Sequence, residues 1–321
     1  MRILLWHVHG AWTTAFVQGP HTYLVPATAD RGPYGRGRAR TYSWPDSVRE
    51  VAPHELRSAD VDVLLLQRPE EEALARAWLG RRPGHDVPAV YVEHNTPRGG
   101  VPDTRHPYAD RPDLTVVQVT GFNDLFWDCG ATRTVVIGHG IPDPGYRYTG
   151  DLPRLAAVVN EPVRRGRVTG TDLLPRFAAL GGLDVFGMGV RDLSSHLGTP
   201  VGEYDDLPQE AMHGQLARRR AYLHLNRWTS LGLSLLEAMS LGMPVVVLGT
   251  TEAAEAVPAG TGVVSTHLDT LAAAARRYLA DPDEAARVGR AAREWAQRRY
   301  GLKPFLDRWD SLLQEVTCVS R

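Results

Sequence analysis

Short apolar runs, each too brief for a helix and each followed by a turn and a more polar stretch, recur along the whole chain. Residues 3–8, 61–66, 89–92, 115–119 and 134–137 fill the first half; 156–159, 183–186, 221–225 and 244–248 fill the second. A strand without polar alternation must be covered on both faces, and such strands alternating with helices build parallel sheets. Two series of them predict an α/β protein with two doubly wound, Rossmann-like lobes. The length of 321 residues suits two domains of roughly 150 residues each. The segment 140–152, rich in Gly, Pro, Asp and Tyr, predicts the connector. The expected division is one lobe over 1–145, a second over 146–300 and a terminal helix over 301–321. Residues 271–279, 283–299 and 304–316 carry Ala, Leu and Trp at helical spacing and predict helices. The Arg-, Gly- and Pro-rich stretch 26–45 predicts a long loop, either closing over a ligand or merely running over the surface.

The formal net charge is −1, which gives no reason to expect a nucleic acid or another polyanion as partner. Lys303 is the sole lysine, so phosphate recognition would fall to arginine. Cys129 and Cys318 are far apart and outside any metal-ligand spacing, which suits a reducing compartment. No run approaches the ~20 apolar residues of a membrane span, and the apolar start is too short for a signal peptide. A cytoplasmic protein without a transmembrane segment is expected. The pairs Asp60/Asp62 and Asp205/Asp206 belong to a strand start and a loop, so no metal site is read from them.

The most informative stretch is 226–248, NRWTSLGLSLLEAMSLGMPVVVL. Thr229 and Ser230 are good N-caps for a helix over 231–241, Gly242 supplies its stop, and Pro244 prevents continuation into the next strand. The helix start presents free N–H groups near Gly232 and Leu233 and a partial positive charge, which suits a diphosphate. Gly232 in the first turn costs up to ~1 kcal/mol against alanine, and close approach of a ligand would explain it. Glu237 is an acid in an apolar run. Ribose hydroxyls would satisfy it, and so would a structural partner.

This stretch resembles the signature of retaining group 1 glycosyltransferases, Glu-x-Phe-Gly-Leu-x-x-Leu-Glu-Ala-x-Ala-x-Gly-x-Pro-Val, at Gly232, Leu233, Leu236, Glu237, Ala238, Gly242, Pro244 and Val245. The resemblance implies the GT-B fold, with a cleft between an acceptor-side first lobe and a donor-side second lobe and a terminal helix returning to the first, and gives Glu237 the nucleotide ribose. Thr229 stands where the family has a glutamate that contacts the donor sugar. Residues 135–142 resemble the segment ending the family's first lobe, with His139 replacing an asparagine in a lining or a turn role. Residues 202–208, including Tyr204, resemble the loop that passes the base. In 163–174 the resemblance aligns Arg164 with the arginine that neutralises the departing diphosphate. Thr169 takes the place of a lysine for which Arg165 or Arg167 would substitute; the same arginines also fit a solvated loop. His94, at the end of the run 89–92, matches a family histidine near the donor sugar. Gly10, after His9, matches a loop under the donor phosphates, while His7 reads as packing.

The implied function is transfer of a sugar from a nucleotide-diphosphate donor, with retention and without metal or other cofactor. The acceptor is a small molecule, a glycan or a lipid. The opening segment resembles that of actinobacterial transferases, some connected with heptose nucleotides, so hexosyl and heptosyl transfer both stay open. A nucleotide-sugar epimerase of the same architecture and a catalytically silent binding subunit are the rival readings.

Overall fold

A computed structural model describes residues 1–319. The chain forms two compact units, Met1–Gly140 with the helix that begins at Leu302, and Ile141–Gly301. In the first unit β1 (Arg2–Leu5), β2 (Thr22–Pro26), β3 (Val48–Val51), β4 (Val63–Leu66), β5 (Ala89–Glu93), β6 (Thr115–Gln118) and β7 (Arg133–Val136) form one sheet. Its order is β3-β2-β1-β4-β5-β6-β7 and every pair is parallel. Val63, Leu64, Leu65 and Leu66 are fully buried, as a run without polar alternation requires of a central strand. Helix α1 (Gly10–Phe16) follows β1 and buries Trp12 and Phe16. The terminal helix, Leu302–Val319, packs on it through Trp309, whose ring lies 5.7 Å from that of Trp12 and 5.1 Å from that of Phe16. The long loop after β2 is fastened rather than loose. Arg38 donates to the carbonyls of Trp44, Pro45 and Val48, and His7 Nδ1 donates to Gly37 O at 3.0 Å.

The second unit has its own parallel sheet of β8 (Leu152–Val158), β9 (Leu183–Gly187), β10 (Gly202–Asp205), β11 (Arg219–His224), β12 (Val245–Leu248) and β13 (Gly262–Ser265). Its order is β10-β9-β8-β11-β12-β13. Adjacent residues go to opposite faces, as the pleat dictates. Leu155, Ala157, Val185, Leu223 and Val246 pack with Leu271, Ala275 and Tyr278 of a helix over Leu268–Ala280. Ala156, Phe186, Tyr222, Val245 and Val247 pack on the other side. They meet Leu235, Leu236 and Met239 of α2 (Leu233–Leu241) and Ala292 and Ala296 of α3 (Pro282–Tyr300). Where α3 crosses the end of α2, a Cβ on Gly289 would stand 2.0 Å from Gly242 O, so only glycine permits the approach.

The sequence runs do not predict β2, β3, β10 or β13. Of these β3, β10 and β13 are edge strands with little fully buried surface. Residues 202–205, expected as loop, are therefore strand. No helix among the described residues is long and apolar enough to cross a membrane.

One charge pair is sealed under the second sheet. Arg219 and Asp184 are each 2% exposed, and Arg219 Nε donates to Asp184 Oδ2 at 2.7 Å. Arg154 Nε reaches the other carboxylate oxygen at 2.9 Å. The Arg219 guanidinium also lies over the rings of Phe186 and Tyr204, whose hydroxyl accepts from it. Removing one partner leaves a buried charge, so Arg219→Ala is expected to lose about 3–5 kcal/mol of stability in urea unfolding. A loss below about 1 kcal/mol would show that Arg154 alone balances Asp184.

Candidate functional site

In a doubly wound sheet, ligands bind beyond the carboxyl ends of the strands where the strand order reverses. In the second unit that point lies at β8 and β11, whose carboxyl ends lead into residues 159–170 and 225–232. These segments are tied together. Arg227 N donates to Val168 O at 2.8 Å, the Arg227 guanidinium donates to Arg167 O at 2.9 Å, and Asp172 accepts from Arg227 at 2.5 and 2.9 Å.

Helix α2 starts here, two residues later than the capping pattern predicts. Gly232, with φ −75° and ψ 119°, is the N-cap itself rather than a first-turn residue, and no side chain caps the helix. Thr229 and Ser230 lie upstream of the helix, outside regular structure, Ser230 buried. Leu235 N donates to Gly232 O at 3.0 Å, which leaves the N–H groups of Leu233 and Ser234 without a partner in the helix. The glycine has a local reason: a Cβ at Gly232 would stand 2.5 Å from His224 Cε1, and 3.3 Å from Asn226 Nδ2. Beside the expected approach of a ligand, the His224 ring thus supplies a reason for glycine within the protein itself.

Glu237 lies one turn beyond the helix start and is buried. Gln209 Nε2 donates to its Oε1 at 2.9 Å, and His213 Nε2 is 3.7 Å from its Oε2, beyond hydrogen-bond distance. A carboxylate with room for about four hydrogen bonds thus receives one from these neighbours.

The arginines of 164–167 separate by environment. Arg164 is exposed and held by Glu161, and Arg167 is exposed and paired with Asp172 at 3.0 Å. The Arg165 side chain is half-buried and forms no hydrogen bond or ion pair among the described residues. Burial first, and Arg164 second, pull its pKa below the usual arginine value. An unpaired guanidinium under that pressure favours an anion. Thr169 does not stand in for a lysine: it is 1% exposed, with its hydroxyl bonded to Thr171 Oγ1 at 3.0 Å and Gly166 O at 3.2 Å. Tyr204, on β10, stacks on Phe186 at 4.4 Å and accepts from Arg219 with its hydroxyl, so it braces the sheet.

In the first unit the order reverses between β1 and β4. There the geometry assembles His9, Gln67, His94 and His139. Gln67 Nε2 donates to Trp6 O at 2.7 Å, which turns its Oε1 toward His94 Nε2 at 3.0 Å. His94 therefore carries its proton on Nε2, and Nδ1 is the acceptor. The His9 ring lies 4.1 Å from the His94 ring, with Trp12 edge-on to His94 at 5.0 Å. Burial, then His9 and His139, press the His94 pKa well below its ordinary value. Burial takes His9 and His139 down to about 4. Neither ring nitrogen of the buried His139 has a hydrogen-bond partner. Gly10 opens α1, where a Cβ would meet the Tyr42 ring at 2.9 Å. Sequence reasoning missed Gln67 and His224. Both lie at the carboxyl end of a strand, the same signal that selects His94. No group of three or more His, Cys, Asp or Glu among the described residues is arranged to hold a metal ion.

Solved structures share the fold. Sucrose-phosphate synthase from Thermosynechococcus elongatus superimposes with a TM-score of 0.75 at 14% identity, covering 100% of both chains. HepE of Anabaena, solved with UDP and glucose, gives 0.66 at 15% identity over 98% of this chain and 100% of its own. The fold is GT-B. TarM of S. aureus gives 0.61 at 13% identity, covering 78% of this chain and 55% of its own, so the chain spans about half of TarM's length. At these identities the likeness concerns the GT-B fold. Residues 164–309, most of the second GT-B unit, match a family model described as glycosyl transferase-like. No curated protein sequence matches the chain.

The neutral histidines make a pH prediction. Their folded pKa values lie below the unfolded value of 6.5, so between pH ~6.5 and ~4 the unfolded chain binds more protons. Stability is therefore full above that window and falls as pH falls through it, by up to ~1.4 kcal/mol per pH unit for each such histidine. Urea midpoints at pH 7.5 and 5.0 should show a smaller loss in His139→Leu than in the parent chain; an equal loss would mean His139 is already protonated or solvated at pH 5.

Proposed function

We propose that this protein is a glycosyltransferase that moves a hexosyl or heptosyl group from a nucleotide-diphosphate sugar to a small-molecule, glycan or lipid acceptor, with retention and without a metal ion. The observation that carries the reading is the uncapped start of α2 with Glu237 one turn along it, within the region that matches a glycosyl transferase-like family. Amides and a helix dipole suit the diphosphate; a buried carboxylate with spare acceptor capacity suits ribose hydroxyls. UDP-bound relatives of the same fold add support.

In this reading Glu237 holds the ribose, Gly232 and Leu233 present the α2 start, and Arg165 supplies the charge that the aligned Thr169 lacks. Arg164 lies one residue away and would have to leave Glu161 to contribute. Thr229 and Ser230 line the approach, and Tyr204 shapes the floor. His94 remains the catalytic candidate of the first unit, with Gly10 beside it. The bond from the anomeric carbon to phosphate oxygen breaks, and its electron pair stays with the diphosphate. The acceptor oxygen attacks from the same face, and its proton passes to the departing phosphate. Fixed positive charge on the developing anion lowers the barrier without reorganisation.

The test is thermal shift and turnover with UDP-, GDP-, ADP- and dTDP-sugars. One base should stabilise the protein, by ~2.7 kcal/mol at a hundredfold excess over Kd. Glu237→Ala and Arg165→Ala should each abolish most of that shift, with Arg164→Ala losing less than Arg165→Ala. Nucleotide release only when acceptor is present separates transfer from epimerisation. A chain that no nucleotide stabilises, or a Glu237→Ala variant stabilised as well as the parent, would overturn the reading.

A further inference from the structure

His224 is the last residue of β11 and is 5% exposed. Among the described residues its ring takes part in no hydrogen bond or ion pair. Two other imidazoles are answered, His106 by Glu93 at 3.3 Å and Tyr108 N, and His21 by Asp310 at 2.9 Å, whereas His139 of the first unit is not. His224 instead points its ring edge at the start of α2, where Cε1 and Nε2 lie 2.5 and 3.1 Å from the place a Gly232 side chain would begin. Burying a polar group without a partner is costly, and an apolar residue would fill the same space without that cost. The chain keeps a histidine and gives up a side chain at position 232 to fit it.

We propose that His224 is a ligand-contacting residue of the second unit, donating an imidazole N–H to an oxygen of the anion seated at the start of α2. The inference rests on the nucleotide-sugar reading above and adds a side chain to it that neither the aligned motif nor the arginine cluster supplies. Burial takes the His224 pKa down to about 4, so the ring is neutral at pH 7 and offers one N–H and one lone pair. A neutral donor joins the α2 amides without adding a charge that would have to be neutralised in the empty site. The neighbouring Asn226 side chain, 3.3 Å from the same point, places a second amide donor at the rim.

The test uses the full chain and whichever of UDP, GDP, ADP and dTDP stabilises it most, with the matching nucleoside as control. His224→Leu should bind the diphosphate on the order of 10- to 100-fold more weakly, the range for a lost hydrogen bond to a charged group, and bind the nucleoside as the parent does. It should melt at the same temperature or higher, because a purely structural histidine would be missed on removal and an unpartnered one would not. His224→Gln, which keeps an N–H, should recover part of the affinity. In the parent chain the ¹⁵N signal of the His224 ring, identified by its loss in His224→Gln, should move when the diphosphate is added and stay when only the nucleoside is added. Unchanged diphosphate affinity in His224→Leu, or a ring signal indifferent to the diphosphate, overturns this inference while Glu237→Ala still tests the site. A parent chain that binds none of the diphosphates removes the nucleotide reading and this inference with it.

Discussion

A parallel strand reaches its neighbour only through a crossover, and where successive crossovers leave in opposite directions no helix closes over the strand ends. Both sheets of this chain have that reversal, β1 against β4 and β8 against β11. The rest of the functional architecture depends on it. Residues at those strand ends are held by a rigid sheet on one side and open on the other. They can therefore be polar, glycine-rich or unpartnered without unravelling a core. Gln67 and His224 sit at those ends and His94, Arg165 and Gly232 in segments that follow strand ends, whereas Thr169 and Tyr204 are tied up in the scaffold.

The second unit shows how tightly support and site are coupled. Asp184, Arg219 and Tyr204 link β9, β11 and β10 through one buried network that spans β8, and Arg219 lies on the same strand as His224. A buried ion pair adds little net stability over an apolar pair of the same shape, yet it fixes which atoms must face each other. Here it fixes β11 against β9 and β10, and thus the depth at which His224 meets Gly232. The close packing of Gly289 on Gly242 does the same for the far end of α2. Both ends of α2 are therefore set by glycines whose missing side chains are occupied by neighbours.

Much of this was readable in the residues, for reasons that also mark where reading stops. Central strands such as Val63–Leu66 and Val245–Leu248 are buried on both faces, so their composition announces them. The edge strands Val48–Val51, Gly202–Asp205 and Gly262–Ser265 are half-solvated and carry no apolar run to announce them, since pairing on one side alone requires none. The α2 segment was legible as helix, stop and strand, but its start was misplaced because Thr229 and Ser230 have capping chemistry and lack capping geometry. The clamp was harder. Arg164, Arg165 and Arg167 are identical in chemistry, and only the acids folded beside them, Glu161 and Asp172, leave Arg165 as the unpaired one.

The two reversal points differ in electrostatic character, and that difference follows from what each unit contributes. The second unit gathers helix amides and an unpaired arginine, a field directed at an anion. The first gathers imidazoles that burial and mutual repulsion keep neutral, with His94 fixed by Gln67 as a donor at Nε2 and an acceptor at Nδ1. A neutral group that both gives and takes a hydrogen bond matches a hydroxyl better than it matches a phosphate. Unpaired positive charge is concentrated in the second unit, and amphoteric hydrogen bonding in the first. A chain of formal net charge −1 with a single lysine achieves this by local pairing of its arginines rather than by overall charge.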